Sequence, residues 1–504
     1  MKITMLIVLL CLYSAAHCQQ FNSPLKLNTT AKGSADRAPM MHLDRSGNIF
    51  VAWVSQANSS GNGTIVMSSS VNGGTSFSAP MTVCATAGCN SNFQRTAEFC
   101  IDTKGVIHLI WMGNRVNNQP DIWYVRSNDK GMTWSAPITV CDADDSSKYA
   151  QDFPSIACDS SDNLYVSFLD SRITQRSKNG ENVHLFFTSS TDGGKTWSVN
   201  KRADSYMVPI GGTCECCAEK IAASKEGHIY IVYRSNIENL RDIHLARSYD
   251  KGASFQTALK VQSGDWVITE CPVSGPNITL DADENAHIVW RDQRDDSSSE
   301  HLYYAMVAKS STTTPLNIAF DAPGASLINY PDVAVFDNSN YRAIMYQTQN
   351  YDMRYILLAN GSPVVNNRPM NLNSGSRKEF AKILFANDGT RYISWQDDGA
   401  DNGDIYFAKE TTPLPSSSVT KATIKSSSFA VYPNPTSNQV FTLEYTISSP
   451  SLFNLVDLLG NTVYSKLLQP NERTLTVELL TLPKGTYQAV IQGQEMNCQT
   501  IIIQ

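Results

Sequence analysis

The chain has 504 residues, 42% of them hydrophobic and only 17% charged, and its formal net charge is −7. This turn-rich, charge-poor composition suits an all-β extracellular protein. The negative balance argues against a nucleic-acid partner and a generally basic surface, so an anionic ligand has to be met by a local group of arginines.

Met1-Lys2, an apolar run over residues 3–13 and Ala16-His17-Cys18 read as a secretory signal peptide over residues 1–18. Lipidation of Cys18 is the alternative reading of the same segment. No other run reaches the ~18 apolar residues that a membrane span needs. Ser23-Pro24-Leu25-Lys26-Leu27 then matches Ser135-Ala136-Pro137-Ile138-Thr139, a strand further along the chain.

From residue 41 a pattern recurs: an apolar strand, an Asp-x-x-Gly-like turn, and an alternating strand ending in an aromatic. The copies end at Trp53, Trp111, Phe168, Tyr233, Trp290, Tyr346 and Trp395. Each is long enough for four short strands. Third strands are expected over residues 122–126, 184–188, 243–247, 302–305 and 405–408. The seventh copy stops after its third strand, and residues 23–27 are expected to supply the fourth and remove the exposed edges.

Interleaved with these repeats is an eight-residue box that starts at Ser70, Ser127, Ser190 and Ser248 and ends at Phe77, Trp134, Trp197 and Phe255. In each box an Asp or Asn side chain bonds backbone N–H groups of a tight turn, and a glycine takes the positive-φ position. This is the Asp box, and it resembles that of the sialidase (neuraminidase) superfamily of β-propellers. With seven repeats, the expectation is a seven-bladed propeller over residues 21–411.

The cysteines fit an oxidising compartment. Cys84 and Cys89 are expected to close a small loop. Cys214-Glu215-Cys216-Cys217 and Cys271 fall, by repeat register, at the starts of adjacent first strands. A disulfide between Cys271 and one of Cys214, Cys216 and Cys217 is the expected state. A Zn or Cu ion held by Cys214, Cys216 and Cys271 is the alternative, and no other cofactor is expected.

Propeller geometry places first-strand starts and the residues after each second strand at one mouth, opposite the boxes. Arg37, Asp152, Glu215, Tyr330 and Arg377 belong to the first set. Asp170, Arg172, Arg234, Arg291 and Arg294 belong to the second. Guanidinium groups recognise carboxylate or sulfate bidentately, although such arginines also pair with neighbouring acids.

Arg37-Ala38-Pro39 is similar to the sialidase Arg-Ile-Pro motif, and Tyr330-Pro331-Asp332-Val333 resembles the stretch that carries the family's tyrosine nucleophile. Glu215 with Arg234 resembles the pair in which the Glu activates that tyrosine and the Arg grips carboxylate. Arg291 or Arg294 stands for the third clamp arginine. The resemblance implies Tyr330 and Glu215 as catalytic and Arg37, Arg234, Arg291 and Arg294 as substrate-binding. Tyrosine suits a substrate whose own carboxylate repels an anionic nucleophile. The loop after the second strand of the first repeat carries no acid, where the family keeps its acid/base Asp. Asp121, Asp152 or Asp170 stands in for it.

A Ser/Thr/Pro-rich linker over residues 412–428 precedes a small β domain over 429–504. Its Phe429-Ala430-Val431-Tyr432-Pro433-Asn434-Pro435, Leu455-Val456-Asp457-Leu458-Leu459-Gly460 and Leu482-Pro483-Lys484-Gly485-Thr486-Tyr487 closely resemble the C-terminal sorting domain of the type IX secretion system of the Bacteroidota. That likeness implies export by the type IX machinery and release or anchoring at the cell surface.

Three functions stay open: a secreted exo-glycosidase acting on an acidic sugar, a non-catalytic glycan-binding propeller, and a polysaccharide lyase acting on uronates. The expected partner is an acidic glycan or polysaccharide, and the expected state is a monomer.

Overall fold

The computed structural model describes residues 21–503, apart from 30–34, 57–62, 90–96, 115–119, 143–148, 174–182, 205–211, 271, 273, 295–299, 321–328, 337–339, 349–350, 360–361, 371–375, 400–402, 411–413, 415–428, 437–439, 448–450, 457–461, 479–484 and 493–495. The expected signal peptide, most of the linker and Cys271 lie outside the described residues. So do the side chains of Cys84 and Cys89, whose backbones belong to the strand Met81–Cys89. The described residues are all strand, turn and loop, without a helix. Two compact units divide the chain: one holds the sheets up to residue 416, and the other takes in 417–504 together with 339–341 and 357–366.

The first unit is built from antiparallel repeats of four strands, with Gly212–Thr213 as a fifth in the sheet of Lys220–Ala223. Four of them have first strands at Gln151–Cys158, Lys220–Ala223, Asn277–Leu280 and Asn329–Val335. Two more, opening at Ala35–Leu43 and Glu98–Ile101, join into one eight-stranded sheet through the pairing of Cys89 with Gly113. The last repeat is Lys378–Phe385, Arg391–Asp397 and Asp404–Lys409, and Leu25–Lys26 completes it. Leu25 pairs with Phe407 and Lys26 with Tyr406. Asn28 reinforces the joint, its amide donating to Asp36 Oδ2 at 2.7 Å and to Asp404 Oδ1 at 2.9 Å.

Second strands are buried along their whole length, as in Leu164–Asp170, Ile229–Asn236 and Ala286–Asp292. A strand covered on both faces reads as a continuous apolar run instead of an alternation. The core therefore lies between successive sheets. One cluster joins Tyr230, Val232 and Leu245 to Ile278, Ile288 and Trp290 of the next repeat, and another joins Met41 and Trp53 to Ile405 and Phe407. The first strands pack one on the next in chain order, and Lys378–Phe385 packs back on Ala35–Leu43.

The boxes repeat with the same geometry. Ser127 Oγ donates to Asp129 Oδ1 at 2.8 Å and accepts the Gly131 N–H at 2.8 Å, while Asp129 Oδ1 accepts the Thr133 N–H at 2.8 Å. Ser70/Asn72, Ser190/Asp192 and Ser248/Asp250 do the same. The glycine at the fifth box position (Gly74, Gly131, Gly194, Gly252) has positive φ and also touches a neighbouring repeat. A Cβ on Gly194 would stand 2.0 Å from Tyr124 Oη, and one on Gly252 2.2 Å from Phe187. On Gly74 it would meet Phe407 of the last repeat at 2.4 Å. Each box is thus a hairpin brace and also a contact between repeats.

The second unit carries two sheets, Phe429–Tyr432, Val440–Tyr445 and Thr474–Glu478 in one, and Thr462–Leu468, Ser451–Val456, Gly485–Gln492 and Met496–Ile503 in the other. Phe441, Leu443, Phe453, Leu455, Ile491 and Ile501 fill its core.

Candidate functional site

First strands start irregularly, and this irregularity shapes the site. A bulge interrupts pairing between Arg37 and Met40, Asp152 and Ser155, Asn329 and Asp332, and Glu379 and Lys382. Within each bulge one residue takes positive φ: Ala38 (53°), Phe153 (52°), Tyr330 (48°) and Phe380 (53°). None is glycine, so the backbone is strained at the same register of four repeats. Ala38, Tyr330 and Phe380 line one cavity, whereas Phe153 packs into the core.

That cavity, open to solvent, lies beside three of these bulges. It is lined by Ala38, Glu98, Lys220, Ser274, Tyr330, Phe380 and Lys382, among others. The Tyr330 ring packs on Phe380 with centroids 4.1 Å apart. Its backbone N–H donates to Ser274 Oγ at 3.3 Å, and its hydroxyl makes no hydrogen bond among the described residues. Burial and the Glu379 carboxylate push the phenol up to about 12, against the pull of Arg377 and Arg291. Arg377 Nη2 meets Glu379 Oε1 at 2.5 Å and still leaves 45% of its side chain in solvent. Deeper in the cavity Lys220 is ion-paired with Glu98, and Lys382 Nζ lies 3.3 Å from Asp332. Burial and the neighbouring Lys382 ammonium bring Lys220 down to about 7, with Asp332 opposing them.

Glu215 lies apart from this group. Its carboxylate accepts from Asn236 at 2.9 Å and faces Arg241 at 3.3 Å. Burial raises its pKa, but its own backbone N–H, Arg241 and Asn236 outweigh that and hold it low. Among the described residues no hydrogen bond joins Tyr330 to Glu215, and Glu379 is the carboxylate that acts on the tyrosine.

Most of the arginines singled out from the sequence are engaged inside the fold. Arg234 is fully buried and donates to the backbone carbonyls of Arg241 at 2.9 Å and Arg291 at 2.8 Å, with Trp266 stacked on its guanidinium at 4.9 Å. Arg291 is paired with Glu300 at 3.0 Å and donates to Asn329 and to the Pro272 carbonyl. Arg294 is paired with Asp292 at 3.0 Å and lies 3.8 Å over the Tyr303 ring. Arg37 is half-buried at the first bulge, opposite Val54.

The acids are similarly placed. Asp170 is buried against Arg172 at 2.7 Å, and Asp121 is buried with Oδ1 accepting the Ile122 N–H at 2.8 Å. Asp152 sits in the third repeat's bulge. His108 and His287 lie within second strands and are held by Tyr124 and Asp102 and by Tyr304 and Asp281.

Cys216 is disulfide-bonded, its partner lying outside the described residues. Cys214 and Cys217 are free, buried thiols. Sulfur atoms of Cys214, Cys216 and Cys217 lie within 4.8 Å of one another. A disulfide takes Cys216 out of a ligand set, leaving two described thiols, fewer than a Zn site asks for.

Sequence reasoning missed Phe380, Glu379, Lys220 and Lys382. A signal for the bulges was present in Ala38-Pro39, Phe153-Pro154 and Tyr330-Pro331, since proline within a strand marks a bulge or an edge. The lysines gave no signal, since nothing in their own strands marks the distant repeats they meet.

The BNR repeat-like domain profile matches residues 47–274, and the secretion system C-terminal sorting domain profile matches residues 430–504. No curated protein sequence matches the chain. Similar solved structures include a protein of unknown function from Dyadobacter fermentans, at 10% identity over 78% of this chain and 98% of that one, with a TM-score of 0.46. Leech intramolecular trans-sialidase is similar at 9% identity over 78% and 94%, with a TM-score of 0.43. The polysaccharide lyase Uly1 is similar at 11% identity over 77% and 92%, with a TM-score of 0.48. The chain carries a BNR repeat-like domain and a type IX sorting domain, which sends it to the cell surface or the extracellular space.

Proposed function

We propose that this protein is an exported seven-bladed propeller that binds an acidic glycan at the mouth around Tyr330 and does not cleave it. The observation that carries the reading is the engagement of Arg234. A guanidinium that is fully buried, with Nη1 and Nη2 each donating to a main-chain carbonyl, does not present itself to a substrate carboxylate in solvent. The absence of a direct Tyr330–Glu215 hydrogen bond among the described residues points the same way. What the mouth offers is an aromatic surface, an unengaged phenol hydroxyl and the half-exposed Arg377 beside Glu379. A sugar ring stacks on such an aromatic, and the arginine holds its acidic group.

Closure into seven blades, with the domain at 21–411, the linker at 412–428 and the sorting domain at 429–504, belongs to the same reading. The return of the last first strand onto Ala35–Leu43 and the seat of Gly74 against Phe407 support closure. A Cys216–Cys271 disulfide, signal-peptide removal after residue 18 and a monomeric mature protein complete it.

A second reading keeps hydrolysis, with Tyr330 as nucleophile and Glu379 as its proton acceptor in place of Glu215. It is favoured by the electrostatic coupling of these two groups and by the strained backbone at Tyr330. A panel of acidic and neutral glycans separates the two. Binding should be measured alongside reducing sugar and ultraviolet absorbance from unsaturated uronate. Binding without product, weakened about tenfold by Arg377→Ala, is the expected result. Turnover that vanishes in Tyr330→Phe establishes the hydrolase instead, and unsaturated uronate establishes the lyase.

A further inference from the structure

The second and third repeats bring two cysteines together at a place that glycan binding does not use. Cys100 belongs to the first strand Glu98–Ile101, and Cys158 ends the first strand Gln151–Cys158, away from the Asp152–Ser155 bulge. Each strand runs into the same turn. Asp102 Oδ1 accepts the Lys104 and Val106 N–H groups, and Asp159 Oδ1 accepts those of Ser161 and Asn163. Cys100 stands two residues before its aspartate and Cys158 only one. Side chains alternate along a strand, so this offset points the two cysteines to opposite faces of their own sheets. On first strands that pack in succession, those are the faces that meet.

The contacts agree. Cys100 packs in one cluster with Ile156, Leu164 and Phe168 of the third repeat, while Cys158 Sγ donates to the Ile101 carbonyl of the second at 3.3 Å. The two thiols are free and share a hydrogen bond. The turns beyond them fix the alignment: the Thr103 N–H donates to Asp162 Oδ1 at 2.9 Å, and Lys104 Nζ lies 2.7 Å from Asp162 Oδ2. Access differs between the sulfurs. Cys100 is only 6% exposed, whereas Cys158 is half-buried. Burial first, then Cys158 and Asp102, push the Cys100 thiol up, so Cys158 is the thiol that meets a reagent first.

We propose that Cys100 and Cys158 form a dithiol site that an external disulfide converts into a covalent bridge between the second and third repeats. Cys158 gives up its proton, and its sulfur adds to one sulfur of a disulfide R–S–S–R. That S–S bond breaks, and the departing R–S takes the electron pair and a proton. The mixed disulfide leaves Cys158 Sγ as an electrophile beside Cys100. Cys100 then loses its proton, bonds to Cys158 Sγ and displaces the second R–SH. Two thiols are oxidised to one cystine while one disulfide is reduced to two thiols. The enclosed Cys100 never has to meet the external reagent, only its neighbour. Export to the cell surface or beyond puts the chain where such disulfides persist. The bridge ties two first strands that share packing but no hydrogen-bonded ladder.

The test treats the full-length protein with glutathione disulfide under native conditions, quenches it with N-ethylmaleimide in denaturant and digests it with trypsin without reduction. Cys100 lies on peptide 96–104 and Cys158 on peptide 149–172, with no other cysteine on either. Mass spectrometry should find these two peptides linked. Cys100→Ser should leave glutathione on Cys158 at about tenfold or more the wild-type level, because the displacing thiol is gone. Cys158→Ser should leave Cys100 to react with maleimide alone. The wild-type link decides by itself, whatever either variant does to folding. Maleimide on both cysteines of the wild type, glutathione retained on its Cys158, or a link from either one to another cysteine, such as Cys141 of the same cluster, overturns the proposal.

Discussion

The boxes and the bulges recur with the same repeat yet treat the chain in opposite ways. At the boxes the turn closes locally, with Ser127, Asp129, Gly131 and Thr133 bonded to one another, and box carbonyls such as those of Gly193 and Gly252 accept from Arg126 and Lys201 of the repeat before. At the bulges the ladder breaks, non-glycine residues are held at positive φ, and the Tyr330 hydroxyl makes no hydrogen bond among the described residues. Strain persists only where the surroundings over-determine it, and the boxes help to supply that surrounding rigidity.

The largest predicted effect falls on the frame. Arg391 and Glu410 form an ion pair with both side chains fully buried. Glu410→Gln removes the carboxylate from that charge and should cost about 3–5 kcal/mol in chemical denaturation. A loss below ~1 kcal/mol would show that the closing sheet does not depend on the pair.

The next prediction concerns Glu219, buried just before the first strand Lys220–Ala223. Its carboxyl is pushed up to about 8, mainly by burial, with Ser167 Oγ bonded to it at 2.6 Å. The native state therefore holds a proton that the unfolded chain has given up, and stability falls as pH rises through that window. Between about pH 4.5 and pH 8 the slope should approach ~1.4 kcal/mol per pH unit. Glu219→Gln should flatten it, and denaturation midpoints across that range check the sign.

Gly194→Ala tests the box as a contact between repeats. It places Cβ against Tyr124 at positive φ and should cost about 2–3 kcal/mol. Gly47 has a similar φ of +79° but nothing within 4 Å, so Gly47→Ala should cost only about 1 kcal/mol. Equal losses would reduce the box to a simple turn.

Smallest of all should be Tyr330→Phe. It removes a hydroxyl that has no hydrogen bond among the described residues and should change stability by less than about 0.5 kcal/mol. Its effect on glycan affinity, measured alongside, reports what that hydroxyl does for the ligand.

The same contrast explains what the sequence disclosed. The box is local chemistry in consecutive residues, and the buried second strands write their environment as apolar runs ending at residues such as Trp53 and Trp290. Both were therefore legible, as was the match that led residues 23–27 to the edge at Phe407. The site was legible only in outline. Tyr330 could be found through its neighbours in the chain, whereas the partners of Arg234 are carbonyls, which every residue possesses and no sequence pattern marks. Glu379 and Lys220 reach the same cavity from distant repeats, a juxtaposition that only the assembled sheets create.

Pairing Leu25–Lys26 with Asp404–Lys409 also sets an order of events on the ribosome. The first strand to emerge has to wait for nearly the whole repeat domain to be made before its partner exists. That partner is followed, after a short connection, by the export address over residues 430–504. A chain terminated anywhere before residue 404 lacks both the clasp and the address. Translation itself thus acts as a proofreader, since no product carries the address without having first received both halves of the clasp.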